Sequence, residues 1–193
     1  MIEREQLAAG VNLAAWGYVF LLFNIVIDGF SLIPSFLGYL LLLLAIRRLE
    51  AGRPDLNRWQ LPCMVLLIYD FMEWVGGFNG GLSFSGLFLF NSLIFLLNFF
   101  LQAYFLAALI ALAADFLPGR SIVRELTLWR KWFLGCIAFG LLLNLALTAG
   151  FSGDLASVLV IGWVLVGIGV GILLLVTLFR LRKMLQEDKP AAL

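Results

Sequence analysis

The chain has 193 residues, 63% of them hydrophobic and 13% charged, with a formal net charge of +1. A soluble domain is nearer half apolar and a quarter charged, so this composition belongs to a membrane protein, with little left over for a soluble domain. With no histidine and two cysteines, the chain excludes His-ligated haem, His-based zinc, Ser-His hydrolysis and histidine proton shuttling. Cys63 and Cys136 fall inside apolar stretches and make neither a disulfide framework nor a metal site.

Six apolar segments follow in chain order, at about 11–28, 33–46, 60–76, 86–114, 131–149 and 155–179. The connections carry turn chemistry: Asp28-Gly29, Gly52-Arg53-Pro54, the glycine-rich 76–86, Pro118-Gly119 and Gly150 to Asp154. The expected fold is therefore all-α, a single polytopic membrane bundle of six transmembrane helices. The N-terminal run has one basic residue, Arg4, and no small-residue cleavage site, so it reads as a retained first helix. The second segment is short, and Pro34 suits the first turn of a helix. A re-entrant hairpin with the first segment is the alternative to two full spans.

Charge gives the orientation. Arg4 precedes the first segment; Arg47, Arg48, Arg53 and Arg58 fill the second connection. Arg120, Arg124, Arg130 and Lys131 fill the fourth, and Arg180, Arg182, Lys183 and Lys189 the tail. All 13 basic residues thus fall on one side, and the other three connections have none. The positive-inside rule then places both termini in the cytoplasm. Trp59, Trp74, Trp129 and Trp132 fall near segment ends, where amphipathic rings prefer to sit.

Four acids fall on the side without bases or within the spans: Asp28, Asp70, Glu73 and Asp154. Asp70 and Glu73 share a helical face at i, i+3. At ~1.5 Å per residue from Leu61, Asp70 lies ~14 Å deep in a ~30 Å hydrocarbon core. A charge there costs at least ~2.5–3.5 kcal/mol on insertion scales, so it faces protein or water, or is protonated. The plainer reading has the helix sitting high, with both acids among the headgroups. Asn24 and Asp28 are paired at i, i+4 on the first helix, and Asn144 and Thr148 on the fifth. Asn91, Asn98 and Gln102 form one stripe on the fourth. These residues define an expected outward-opening acidic cavity between helices one, three, four and five, above an inner half of Leu, Ala, Phe and Ile. Interhelical hydrogen bonding, at about 0.6 kcal/mol per group, explains the amides without a ligand. Ala103, Ala107 and Ala111, and the Gly167/Gly171 pair with Gly169 between them, are small-residue patterns that let helices approach.

The stretch Ile27-Asp28-Gly29-Phe30-Ser31-Leu32-Ile33-Pro34-Ser35-Phe36-Leu37-Gly38-Tyr39 resembles a motif of small membrane proteins of Gram-positive bacteria. In these an LPxFxGY-type turn follows the first helix. They more often have Asp where this chain has Ser35, and the resemblance spans about 30 residues, down to Arg47-Arg48. It implies a bacterial plasma membrane and brings no activity with it. Size, six spans and orientation are also similar to the substrate-binding subunits of energy-coupling-factor vitamin transporters. However, Ala8, Ala9, Ala14 and Ala15 do not reproduce their docking motif. Tyr69-Asp70 and Phe151-Ser152-Gly153-Asp154 resemble the Tyr-Asp and GxGD of intramembrane aspartyl proteases, with Phe151 replacing the first glycine and Asp154 at a loop edge.

The functional expectation is a non-enzymatic bundle that binds or moves a small cationic or polar solute, or protons, from the outer face. Asp70 and Glu73 form the binding or protonation pair, and Asp28, Asn24, Asn91, Asn98 and Asn144 line the cavity. The competing expectation is a structural or accessory subunit, self-associated or joined to a partner membrane subunit. Beyond the lipid bilayer, no nucleic-acid partner, metal or cofactor is expected, and no nucleotide-binding loop is present.

Overall fold

The computed structural model describes residues 4–23, 26–27, 30–31, 34–79 and 88–187, with backbone alone at 26–27, 30–31, 77–79 and 88–89. Six helices account for nearly all of it: α1 Arg4–Leu22, α2 Phe36–Leu49, α3 Gln60–Asn79, α4 Phe88–Phe116, α5 Ser121–Thr148 and α6 Asp154–Glu187. A 3-10 helix, Pro54–Trp59, leads into α3. Three helices are long and apolar enough to cross a membrane, over Phe90–Phe116, Ser121–Thr148 and Asp154–Glu187.

The first and last helices run past their apolar segments, to Arg4 and Glu187, and two further boundaries differ from those expected. The first helix ends at Leu22 instead of 28, because Val26–Ile27 pairs antiparallel with Phe30–Ser31 in the register Val26↔Ser31, Ile27↔Phe30. β-Branched residues flanking an Asp-Gly dipeptide are a strong local signal for such pairing. The fifth helix starts at Ser121 instead of 131. Gly119 takes a left-handed φ of 74° and Arg120 is extended, so the helix begins directly after Pro118-Gly119. Arg124, Arg130 and Lys131 consequently ride on its first turns. Pro34 lies just outside α2: its carbonyl accepts from the Leu37 amide at 3.2 Å, and Ser35 is the N-cap.

Consecutive helices pack side by side, and α6 packs back on α1, so the six form a closed ring in chain order. The buried core is concentrated at one end. It includes Leu7, Val11 and Ala14 of α1, Leu42 and Ile46 of α2, Cys63 and Leu66 of α3, Leu101, Leu106, Leu109 and Ala113 of α4, Ile122 and Leu126 of α5, and Leu174, Leu178, Leu181 and Leu185 of α6. Leu56 of the 3-10 helix, fully buried, closes that end from below. Because neighbouring helices run in opposite directions, Arg4, the arginines after α2, the basic first turns of α5 and the end of α6 also gather there. At the opposite end α5 and α6 carry largely exposed apolar residues, among them Leu142, Leu155, Val158 and Ile161.

Glycine sets two of the seams. A Cβ on Gly38 would stand 2.8 Å from the Gly17 carbonyl oxygen, so α1 and α2 touch backbone to backbone there. Across α5 and α6, the Trp163 ring lies over Gly140 and donates its Nε1–H to the Cys136 carbonyl at 2.7 Å. Of the expected glycine pair on α6, Gly171 packs on Leu22 of α1, whereas Gly167 meets open space. Ala103, Ala107 and Ala111 are half-buried, to the side of the face that α4 turns into the core.

Candidate functional site

The polar residues within the ring gather on α4 and the three helices that precede it. The scaffold is the Gly17–Gly38 crossing. Each glycine is followed by a tyrosine, and both Tyr18 and Tyr39 are buried and reach α4. The Tyr18 hydroxyl donates to Gln102 Oε1, and the Tyr39 hydroxyl donates to Asn98 Oδ1 at 3.0 Å. Gln102 Nε2 donates to the same Asn98 Oδ1 at 3.1 Å, one turn along the helix. Asn98 Oδ1 thus accepts twice, which uses both its lone pairs. Gln102 is buried, and its amide is matched on both ends, as burial of such a group demands.

Farther along α4, Asn91 Oδ1 accepts from the Tyr69 hydroxyl of α3 at 3.0 Å. Next to Tyr69 comes Asp70, half-buried, with Ser35 close enough to interact with its carboxylate. Ser35 caps α2 by position yet makes no side-chain cap bond. An aromatic cluster fixes this junction: Phe36 packs edge-on against Phe71 at 5.3 Å and Trp74 at 5.4 Å, tying the first turn of α2 to α3. Glu73, also half-buried, follows one turn beyond Asp70, and Asp70 is close enough to both Glu73 and Tyr39 to interact electrostatically.

The result is a polar ladder. It starts at Glu73 and Asp70, passes Ser35, Tyr39 and Asn98, and ends at the Gln102–Tyr18 pair. Beyond this last rung the interior is apolar, with Leu101, Phe105, Leu106 and Leu109 on α4 and Val11 and Ala14 on α1. On the far side of Tyr18, the Phe133 ring of α5 packs edge-on at 5.8 Å. The acidic end faces away from the basic end, and the chain has no Lys or Arg between Arg58 and Arg120.

Of the residues expected at the site, the structure brings together Asp70, Glu73, Asn91 and Asn98. Asn24 and Asp28 lie outside the residues whose side chains are described. Asn144 stands apart: it is exposed on α5, and its carbonyl accepts from the Thr148 hydroxyl at 2.7 Å. The ladder therefore involves α1, α2, α3 and α4 and does not draw on α5 for polar groups. Asp154 opens α6, exposed, after Gly153 at φ 103°, and α6 is no neighbour of α3 in the ring. Asp154 has the place of a helix-start residue, not of a partner for Asp70. Sequence reasoning missed the donors: Tyr18, Tyr39 and Tyr69. Gly-Tyr dipeptides at 17–18 and 38–39 mark two of the three without disclosing their partners. Among the described residues no group of three or more His, Cys, Asp or Glu could hold a metal.

Comparison with protein-family models, curated proteins and solved structures finds no match.

Proposed function

We propose that the chain is an integral protein of a bacterial plasma membrane, with six spanning helices and both termini cytoplasmic. In this reading it takes up a small cationic or polar solute, or protons, from the outer side at Asp70 and Glu73. The membrane assignment is supported by the three long apolar helices and by the gathering of the basic residues at one end of the ring. α2 is the short element: its 14 residues rise only ~21 Å, so it needs the Pro34 turn or local thinning of the bilayer to complete a span.

The observation that carries the functional reading is the placement of the two acids. They stand one turn apart on one helix, at the head of a hydrogen-bonded Tyr-Asn-Gln ladder that ends at an apolar plug. Such a layout binds from one side and is closed on the other. A carboxylate pair suits a cation, and the tyrosine and amide groups suit its remaining polar contacts.

The test is the thermal stability of purified protein from pH 4 to 9 with a panel of small cations, for wild type and Asp70→Asn/Glu73→Gln. A solute- or pH-dependent shift in the wild type that is absent from the double variant supports the site. A variant that is merely less stable, with neither protein responding, removes it.

A second reading, an accessory subunit joined to another membrane helix, is favoured by one feature. On α6, Gly162, Gly167 and Gly169 have open space where a Cβ would go, which leaves room for the close approach of a further helix. Cross-linking through a cysteine at Gly162 in native membranes distinguishes the two: a specific adduct supports the subunit reading.

A further inference from the structure

At the basic end of the ring, a recess of about 470 Å³ opens between the first turns of α1 and the last turns of α6. Its polar lining is Arg4, Glu5 and Asn12 from α1 and Arg182 and Gln186 from α6. Two of these residues hold buried polar atoms with no partner among the described residues: the Asn12 Oδ1 acceptor and the Arg182 Nε donor. Unmatched buried polar atoms are rare in folded proteins, and here the two residues that hold such a donor and acceptor line one recess. The second guanidinium is placed at the rim, where Arg4 Nη2 donates to the Phe116 carbonyl at the end of α4, at 3.5 Å. Among the described lining residues, two arginines stand against one glutamate. Guanidinium groups match phosphoryl oxygens in a planar, two-pronged geometry, and basic pockets between spanning helices at the cytoplasmic surface are suited to anionic lipid headgroups.

We propose that this recess is a phosphoryl-binding site, open to the headgroups of the leaflet at the basic end. Arg182 and Arg4 hold the phosphoryl oxygens through their terminal guanidinium nitrogens. The proposal rests on the membrane reading above and is independent of the solute at Asp70 and Glu73.

The experiment uses full-length protein, delipidated in detergent and titrated with phosphatidylglycerol, phosphatidylcholine or inorganic phosphate, with melting temperature as readout. Wild type is expected to be stabilised by phosphatidylglycerol more than by phosphatidylcholine. Arg182→Gln should weaken the apparent affinity at least about five-fold, whereas Arg124→Gln, an exposed arginine outside the recess, should leave it unchanged. Should Arg182→Gln fail to fold, Arg182→Lys keeps the charge without the fork and is expected to weaken binding by a smaller factor. A full response to inorganic phosphate alone supports the site and assigns it to free phosphate instead of lipid. Equal responses from wild type and the Arg182 variants, or equal losses at Arg124, overturn it. Extraction of the protein from membranes by alkaline carbonate would instead sink the membrane reading. Loss of the solute response with an intact lipid response in Asp70→Asn/Glu73→Gln would affect only the outer site.

Discussion

Gly17 and Gly38 meet backbone to backbone: a Cβ on Gly38 would lie 2.8 Å from the Gly17 carbonyl oxygen and 2.7 Å from Leu21 Cγ. The oxygen cannot rotate away as a side chain would, so the α1–α2 crossing must open to admit even a methyl group. Gly38→Ala is therefore expected to destabilise the protein by about 1–3 kcal/mol, the usual cost of overpacking. Because Tyr18 and Tyr39 are set by this crossing, the same change should loosen their bonds to Gln102 and Asn98. Gly167→Ala, placed in open space on α6, is the control and should be neutral within about 0.5 kcal/mol. Thermal or denaturant unfolding in detergent checks both.

The two tyrosines differ in what their loss leaves behind. Tyr18→Phe strips the donor from the Oε1 of Gln102, a buried residue, which should cost about 1–3 kcal/mol for an unmatched acceptor. Tyr39→Phe leaves Asn98 Oδ1 still accepting from Gln102 at 3.1 Å, so its cost should be the smaller of the two. Tyr18→Phe combined with Gln102→Leu should be less destabilised than the sum of the single changes, because no buried acceptor is stranded at that rung. An additive double variant would show that the pair is not coupled.

This ladder also shows what the sequence could and could not disclose. The stripe Asn91, Asn98 and Gln102 is legible from helical spacing alone, and so is the Asp70/Glu73 pair. The tyrosines are not, because a tyrosine in an apolar span counts toward hydrophobicity and its hydroxyl partner is set by tertiary contact. Asn144 fails for a related reason: its i, i+4 relation to Thr148 gives a shared face but not which way that face points. The six elements were legible from apolar runs, while their ends were not. Apolar counting halts at Lys131, yet a helix continues through charged residues wherever no breaker intervenes, here back to Gly119. In the other direction, the apolar run to 28 hides a chain reversal, since Val26 and Ile27 are as apolar in a hairpin as in a helix.

Ser35 offers a separation of two roles. It occupies the N-cap of α2 without a side-chain cap bond, and it stands close enough to Asp70 to interact with the carboxylate. Ser35→Ala should thus leave α2 intact, without the ~1 kcal/mol loss that follows removal of a working cap, and should instead act through Asp70. A double-mutant cycle of Ser35→Ala with Asp70→Asn, read by unfolding free energy, is expected to give a coupling of about 1.5–3 kcal/mol if the carboxylate is ionised. A coupling near zero, with Ser35→Ala as costly alone as a lost cap, would return the serine to its capping role.

Orientation is tested most directly at the two loops with left-handed glycines. Ser152 is exposed in the connection before α6, between Gly150 at φ 97° and Gly153 at φ 103°. Ser121 is exposed at the start of α5, beside Arg120 and Arg124. In the proposed orientation, with the basic residues cytoplasmic, Ser152→Cys should react with a membrane-impermeant maleimide in intact cells. Ser121→Cys should react only after permeabilisation. Cys63 is buried and should stay silent, and Cys136, half-buried under Trp163, is replaced by alanine in both variants. Labelling of Ser121→Cys but not Ser152→Cys in intact cells would invert the protein. The recess at Arg182 would then face outward, and Asp70 and Glu73 would open to the cytoplasm. Labelling of both sites on the same side would mean that α5 does not cross, and the six-span arrangement would have to be abandoned.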